Sequence, residues 1–513
     1  MRYATETPRA FPGKSNPQLP RGPNARMIDC FRDLRVTVMG LGTFGGGVGA
    51  VRFLVQSGAR VTVTDLRPAA ELPASLAALS TTPPAVWHLG EHLPHDFEQT
   101  DLVVASPAVP SDSPWLQRAR AAGVPITSEI ELFWERQRGR VVAVTGSNGK
   151  STTTSLLHRL LETATVRSTP ADAASAVTVW LGGNIGQSLL PVVDQIGPRD
   201  WVVLELSSFQ LETLNHLRPT PFVSVVTNFT PNHLDRHHTL DAYREAKQTL
   251  ARHQTPSQFA VRNLDDPDVA VWPTAARRVG FGLIDHPTEG LFVPDTGGRP
   301  PQRAVWRWNG TEEVVSLPTW VPLAGRHNLA NALAASAAAR LCGADWSSIE
   351  TATRSFRGLP HRLELVAEWQ GARFYNDSKA TTPEAAALAL AAFGETPQIP
   401  LVGGYDKRID LTPLVQALGR AHLRGLVFLG QTGPELQRRW RDTTGSAHVP
   451  SLLAGNLPQA VEWCRARAQP GDVVLLSPGC ASHDWFRNYE DRGELFRQLV
   501  RQTPAVEQPS LGT

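Results

Sequence analysis

Cysteine is scarce. The 513 residues contain four, at positions 30, 342, 464 and 480 with no closely spaced pair, so the chain has neither a disulfide framework nor a zinc-site spacing. That usage fits a reducing, cytoplasmic setting. No uninterrupted apolar stretch approaches the roughly 20 residues that span a bilayer, and the first residues lack the apolar core of a signal peptide. A soluble chain with no membrane partner is expected. Charge of one sign is also missing. Fifty Lys and Arg against 48 Asp and Glu leave a formal +2, and the basic residues are scattered, which gives no electrostatic case for a nucleic-acid partner. Any anionic ligand must be held by local sites. No repeat of fixed period is present, which excludes solenoids and propellers. The length predicts about three domains.

Residues 1 to about 26 carry Pro8, Pro12, Pro17, Pro20 and Pro23 without apolar periodicity and are expected to form a disordered leader. From Leu34 the pattern changes to a strand at Val36 to Met39, a glycine turn, a helix through about Gln56, and a strand at Val61 to Thr64 ending at Asp65. This opens a parallel α/β sheet. The turn Gly40-Leu41-Gly42-Thr43-Phe44-Gly45 is G-x-G-x-x-G in the right context, and Asp65 at the next strand tip can accept from a ribose or base. By itself this describes a nicotinamide-dependent oxidoreductase. A strand at Leu102 to Ala105 leads into Ser106-Pro107-Ala108.

A second block begins with the apolar run Val141 to Val144 and Thr145-Gly146-Ser147-Asn148-Gly149-Lys150-Ser151-Thr152. Two glycines before Lys and Ser, behind a strand, describe a phosphate-binding loop. Backbone N–H groups point at phosphate oxygens, Lys150 supplies a cation, and Ser151 offers a hydroxyl to Mg²⁺. The spacing is shorter than the usual Walker pattern, which wants Gly at Val144. Further strands are expected at Trp201 to Leu206 and Phe222 to Thr227. Glu205 stands at a strand tip, where Mg²⁺ would find a hard oxygen, or where a helix N-terminus would find a negative charge. His233, after a strand and a turn, is a structural histidine or a metal or acyl-phosphate contact. Lys247 lies in the helical segment Tyr243-Arg244-Glu245-Ala246-Lys247 and reads as a solvated-face lysine. Residues 273 to 322, irregular with short strand-like runs and many Pro and Gly, read as a peripheral excursion, followed by an Ala-rich helix to about Leu341.

The third block starts near Gly358-Leu359-Pro360-His361-Arg362. Its expected strands are Phe374 to Tyr375, Ile399 to Val402, Leu426 to Leu429 and Val473 to Leu476, separated by helical Ala/Leu stretches. Polar runs close three of them: Asn376-Asp377-Ser378-Lys379-Ala380-Thr381, Gly403-Gly404-Tyr405-Asp406-Lys407 and Ser477-Pro478-Gly479-Cys480-Ala481-Ser482. Such tips suit ribose, phosphate or a carboxylate substrate, or are plain polar loops.

In combination these runs resemble the Mur ligases of peptidoglycan synthesis, and within that family the D-glutamate-adding branch. The resemblance extends from about residue 34 to 503. Thr145 to Thr152, Gly182-Gly183-Asn184-Ile185-Gly186, His327-Asn328-Leu329-Ala330-Asn331-Ala332 and Gly358 to Arg362 look like the general family pattern. Leu204 to Glu212 and Ser477 to Gly493 look like the branch. The resemblance implies an α/β enzyme of three domains after the 1–26 leader. These are a Rossmann-like UDP-binding domain at 27–139, a central P-loop ATPase-like domain with a mostly parallel sheet at 140–357, and a Rossmann-like domain at 358–513 that binds the amino acid.

The family likeness implies a monomer acting in the cytoplasm on UDP-N-acetylmuramoyl-L-alanine, D-glutamate and ATP with Mg²⁺, through an acyl phosphate. Gly40, Gly42, Thr43 and Phe44 would then hold UDP, with Asp65 and Arg67 near the uracil and Ser106 and Asn184 near the diphosphate or sugar. Gly146, Ser147, Asn148, Gly149, Lys150, Ser151, Thr152, Asn328, Asn331, Arg362 and Asp377 would contact ATP. Ser151 and Glu205 would take one Mg²⁺, and His233 a second together with Lys247 as a CO₂-derived carbamate. Lys150, Glu205, His233, Lys247 and Lys379 would form the catalytic set, and Lys379, Thr381, Lys407, Ser482 and Tyr489 would frame the glutamate. The chain departs from the family at Phe44, where a small polar residue is frequent, at Leu66 for Thr, Ala108 for Gly and Tyr489 for Phe. The rival readings are a ligase of the superfamily adding another amino acid such as L-glutamate or a folylpolyglutamate synthase, the nicotinamide-dependent oxidoreductase, and a nucleotide-binding module without catalysis.

Overall fold

The computed structural model describes residues 31–41, 45–168, 177–295, 302–316, 325–444 and 448–502. The leader at 1–26 and Gly42, Thr43 and Phe44 lie outside the described residues. Three sheets organise the rest, and by compactness the chain forms two units. One holds the described residues up to Arg138 with Gly182–Gly197 and Glu212–Leu217, and the other holds the remainder.

The first sheet has strands β1 Arg35–Met39, β2 Arg60–Asp65, β3 Val86–Leu89, β4 Leu102–Ala105 and β5 Ile126–Thr127, in the order β3-β2-β1-β4-β5. All its pairs are parallel. Val36, Val38, Val61, Val63, Val103 and Val104 are buried, as expected of β-branched residues in strands covered on both faces. Each such side chain contributes about 1.5–3 kcal/mol through its burial. The strand order reverses between β1 and β4, so the Gly40 turn and Ser106 stand side by side at the switch point where ligands of such sheets bind.

The central sheet has nine strands, ordered β14-β13-β12-β11-β10-β9-β6-β8-β7: β6 Arg140–Thr145, β7 Val179–Gly183, β8 Trp201–Glu205, β9 Val223–Val226, β10 Phe259–Asn263, β11 Arg277–Gly282, β12 Gly290–Phe292, β13 Arg303–Trp308 and β14 Thr311–Ser316. The excursion expected over 273–322 is corrected here. Its described part supplies β11 to β14, which extend the sheet edge, β13 and β14 as an antiparallel hairpin. Trp306 and Val315 pack into the same core as Val142 and Leu157, so this segment is structural rather than peripheral. Short strands punctuated by Gly and Pro do not announce themselves by periodicity. The Ala-rich helix, Arg326–Leu341, packs on this sheet; its small side chains allow close approach.

The third sheet, ordered β15-β16-β20-β17-β18-β19, contains β15 Glu364–Trp369, β16 Ala372–Asn376, β17 Gln398–Gly403, β18 Leu426–Leu429, β19 Ser451–Leu453 and β20 Val473–Leu476. It is parallel except for the hairpin of β15 and β16. Apolar clusters cover both faces, one around Phe428 and Trp440 and the other around Phe374 and Phe496. Side-chain caps at Thr382 and Asn488 begin two of its helices, each cap worth about 1 kcal/mol. Among the described residues no helix is long and apolar enough to cross a membrane.

Candidate active site

Strands β9, β6 and β8 lie side by side, so the residues after them meet at one sheet edge. The loop after β6 turns sharply: Gly146 has φ +147° and Gly149 φ +79°. A Cβ on Gly146 would overlap the Thr227 hydroxyl, and one on Gly149 would overlap the Asn331 amide oxygen. Only glycine combines this backbone with this crowding. The loop is braced by Asn228, whose Oδ1 accepts from Asn148 N–H at 2.8 Å and whose Nδ2 donates to Asn148 O at 3.0 Å. Ser147 Oγ donates to Thr230 O at 2.9 Å and lies 3.1 Å from the Tyr243 hydroxyl. Lys150 opens the helix Lys150–Ser168, and its ammonium donates to Gly146 O at 3.1 Å and Ser147 O at 3.0 Å. Ser151 and Thr152 follow, both buried, in the first turn of a helix whose N-terminal dipole favours anions.

Lys247 is the principal correction to the physical reading of the sequence. It is 1% exposed, not a solvated-face lysine. Its helix, Leu240–Arg252, is capped by the Thr239 hydroxyl and turns Tyr243, Ala246, Lys247 and Leu250 inward. That spacing is an apolar stripe with a lysine inside it, a signal the sequence did contain. The ammonium donates to Gly146 O at 2.8 Å and lies 4.6 Å from the Tyr243 ring centre. Burial, and then the like charge of Lys150, push its pKa well down, against the pull of Glu205. Lys150 is lowered by burial as well, with Glu205 raising it and Arg362 lowering it. Glu205, buried at the tip of β8, is thus the carboxylate both lysines feel.

His233 has left-handed backbone, φ +54°, at the start of the short helix Leu234–His237. It is solvent-exposed, with its ring 5.1 Å from Phe209 and 6.2 Å from Tyr243. Tyr243 is therefore the platform between His233 and Lys247. The sequence reading passed over His237, which is buried, stacks on Phe209 at 5.2 Å, and hydrogen-bonds Ser208 Oγ through Nε2 at 2.9 Å. Its spacing of four from His233 was the only sequence cue. Asn328 and Asn331 are buried at the start of the Ala-rich helix and hydrogen-bonded to each other at 3.3 Å.

In the third sheet β16, β20 and β17 are neighbours, so the three polar runs do meet. Asp377 accepts from Leu363 N–H at 3.1 Å and from the Ser477 hydroxyl at 2.8 Å. Burial pushes its carboxyl up to about 7, against those hydrogen bonds and Arg362. Lys379 lies 5.4 Å from the Tyr489 ring centre. Burial lowers its pKa, Arg362 lowers it further, and Glu205 and Glu490 raise it. Lys379 and Lys150 thus face the same guanidinium and the same carboxylate, although one comes from the third block and the other from the phosphate loop. Ser482 is buried, Thr381 is half-buried, and Lys407 is exposed on the loop after β17.

Arg492 was not singled out in the sequence and organises this end. Buried to 2% exposure, it donates to Ser378 Oγ and O, both at 2.9 Å, and to Cys480 O and Ala481 O at 3.2 Å. Burial brings it down to about 10. Asn376 performs a similar task, donating to Gly493 O at 3.0 Å and meeting His361 Nδ1 at 3.0 Å. Neither role has a local signature, because Gly493 for Asn376 and Ser378 for Arg492 come from more than one hundred residues away in sequence.

At the first sheet, Asp65 receives Leu41 N–H at 3.0 Å and Arg67 N–H at 3.0 Å, and pairs with the Arg67 guanidinium at 2.9 Å. Gly40 has φ +86°, and a Cβ there would sit 3.2 Å from Ser106 Cβ. Ser106 Oγ accepts from Ala108 N–H at 3.4 Å, and Asn184 is exposed.

Comparison with known proteins places these features in one lineage. The profile described as the MurD-like N-terminal domain of Mur ligases matches residues 34–128, the Mur ligase middle domain matches 144–339, and the Mur ligase glutamate ligase domain matches 361–480. The chain is 40% identical over 472 residues to a UDP-N-acetylmuramoylalanine–D-glutamate ligase of Roseiflexus sp. (strain RS-1), covering 91% of this chain and 98% of that one. It is 39% identical over 476 residues to the enzyme of the same name from Pelotomaculum thermopropionicum, covering 92% and 99%. Among solved structures it shares its fold with a UDP-N-acetylmuramate-alanine ligase of Thermotoga maritima, TM-score 0.56 at 20% identity over 91% and 99% of the two chains. It likewise matches a MurF ligase of the same organism in complex with ADP, TM-score 0.53 at 18% identity over 91% and 95%. With the phosphate loop, the buried lysines and three matched domains in the family's order, the chain belongs to the Mur ligase family.

Proposed function

We propose that the chain is an ATP-dependent ligase that joins D-glutamate to UDP-N-acetylmuramoyl-L-alanine, a step of peptidoglycan precursor synthesis in the cytoplasm. The observation that carries this reading is the gathering of Lys150, Lys247 and Glu205 at one sheet edge, within electrostatic influence of Arg362 and Lys379 from the third block. A triphosphate and a carboxylate repel each other, and such a set of cations can hold both. Its curated relatives of 35 to 40% identity over about nine-tenths of the chain carry that activity in their names.

A carboxylate is a poor acyl donor, so the substrate carboxylate first takes the γ-phosphoryl group of ATP. The carboxylate oxygen bonds to phosphorus as the bond to ADP breaks, giving an acyl phosphate. The glutamate amine then attacks the acyl carbon, phosphate leaves, and an amide remains. In this reading the loop Gly146 to Thr152, with Asn328, Asn331, Arg362 and Asp377, binds ATP, and Lys150 steadies the outer phosphates. Asp65, Arg67, Ser106 and Asn184 hold the UDP-sugar. Lys379, Thr381, Lys407, Ser482 and Tyr489 position D-glutamate, Lys407 from its exposed loop.

The donor set fits Mg²⁺: Ser151 and the buried Glu205 offer hard oxygens beside the phosphate loop. Lys247 fits a carbamate, because burial beside Lys150 favours the neutral amine that adds to CO₂. Glu205 and Ser151 would hold one ion, and His233 and the Lys247 carbamate a second. The ions would supply charge screening for the phosphates.

The test is phosphate release from ATP in the presence of Mg²⁺, the UDP-linked muramoyl-alanine and a panel of D- and L-amino acids. Release should require all components and prefer D-glutamate. Faster turnover with L-glutamate or a diamino acid would keep the ligase chemistry and overturn the specificity, whereas turnover of a nicotinamide cofactor would replace the reading.

A further inference from the structure

We propose that His88, His95 and Asp96 form a binding site for a divalent transition-metal ion of the zinc type, in a segment of the first sheet that the proposed reaction does not use. Among the described residues this is the group of three ligating side chains whose donor atoms all lie within 4.8 Å of one another.

The fold builds the site from both sides. His88 lies on β3, paired with Thr64 of β2. The chain then turns through Gly90, φ +97°, and Leu93 into the short helix Pro94–Glu98, which carries His95 and Asp96 back toward the strand. Asp96 is held in place by its backbone carbonyl, which accepts from the Thr37 hydroxyl at 2.6 Å, and by the fully buried Phe97 beside it. Between them, His92 anchors the turn, its ring against Phe97 and Trp115 and its Nδ1 2.6 Å from Thr64 Oγ1. That leaves His92 as a brace and the other three as the donor set.

The Asp96 carboxylate is buried, yet each oxygen faces an imidazole. Oδ2 is 2.8 Å from His88 Nδ1, and Oδ1 is 3.6 Å from His95 Nε2. Metal–nitrogen and metal–oxygen bonds of about 2.0–2.2 Å in a tetrahedral site put donors roughly 3.3 Å apart. With one carboxylate oxygen and one nitrogen of each ring within 4.8 Å of one another, side-chain rotations that draw the three donors in to that spacing seat an ion. Two imidazoles and one carboxylate suit Zn²⁺, Co²⁺ or Ni²⁺ rather than Mg²⁺ or Ca²⁺, which prefer all-oxygen shells. The His95 side chain is 54% exposed, which leaves an entry path and room for a water as fourth ligand.

Calorimetric titration of the full chain with Zn²⁺, in excess Mg²⁺ to occupy any site at the phosphate loop, tests the proposal. The wild type should bind one tight equivalent that also raises its melting temperature. His95→Ala, at an exposed side chain, should fold normally and lose on the order of tenfold or more in affinity, and His88→Ala should do the same. His483→Ala, at an exposed histidine elsewhere, should change nothing. Wild-type Zn²⁺ affinity and stoichiometry in either His88→Ala or His95→Ala, or no tight equivalent in the wild type, overturns the site.

Discussion

Two glycine turns in this molecule look alike in sequence and differ in every charge around them. Each follows the first strand of a parallel sheet and precedes a helix. At the Gly40 turn the negative group is the protein's own: Asp65 occupies the Leu41 N–H and is closed off by Arg67. At the Gly146 turn two lysines, Lys150 and Lys247, donate to the Gly146 backbone oxygen beside the place where a polyanion would sit. A glycine turn therefore specifies a backbone shape, and the side chains delivered from neighbouring strands specify what the shape receives.

The largest effect should come from the buried lysine that only the second turn has. Lys247→Ala should fold and lose about 10²–10³-fold in turnover, the scale of removing an electrostatic group at a reacting centre. A short added carboxylate should restore part of it. Full phosphate release by Lys247→Ala in CO₂-depleted buffer would remove the distinction between the turns.

Next, the two turns should tolerate a methyl group unequally. Gly146→Ala combines positive φ with overlap on Thr227, and strain of about 1–2 kcal/mol plus overpacking of about 1–3 kcal/mol should cost roughly 3 kcal/mol. Gly45→Ala has φ +83° but nothing within 4 Å, so it should cost only about 1 kcal/mol. Chemical denaturation of the two variants compares them directly, and equal losses would show that crowding at the phosphate loop is unimportant.

The turns should also respond to pH in different windows, with stability rising with pH in each. Lys247 has its folded pKa pushed well below 10.5, so over that window the unfolded chain binds more protons and stability rises with pH. Lys247→Met should flatten the rise. The pKa of Asp65 is pulled up by burial, but Arg67 and the N–H groups of Arg67 and Leu41 outweigh this, and the net shift is downward from 3.8. Its stabilisation is present above 3.8 and is lost as pH falls through the folded value, and Asp65→Asn should remove that loss. Either slope is at most about 1.4 kcal/mol per pH unit. Unfolding free energies measured in CO₂-depleted buffer from acid to alkaline pH read both, and a Lys247→Met slope equal to wild type would show that the buried ammonium is not strained.

The smallest effect belongs to the first turn. Arg67→Ala removes one partly exposed partner, worth about 1 kcal/mol, and should raise KM for the UDP substrate roughly fivefold while KM for ATP stays unchanged. A change in the ATP constant instead would mean that the turns do not divide their ligands as proposed.

The central strands of all three sheets were readable because apolar runs bounded by turns follow from local pattern, and Gly146, Gly149, Lys150 and Glu205 from loop chemistry. β3, β5, β7, β10, β15 and β19 were not, and β11 to β14 showed only as strand-like runs, since such short runs are stabilised by the neighbour they join rather than by their own period. Within the candidate site, His237 gave only its spacing from His233, Asn376 only its place in a polar run, and Arg492 no signal, because Gly493 and Ser378 are remote in sequence. Sequence alone determined the order of the blocks, the α/β class and the glycines, because backbone preference and hydrophobic period act between near neighbours. Only tertiary structure decided that Lys247 is buried against Gly146 and that Lys379 shares Arg362 and Glu205 with Lys150. Desolvation and Coulomb energies depend on what other strands bring within a few ångströms, and no local pattern encodes that.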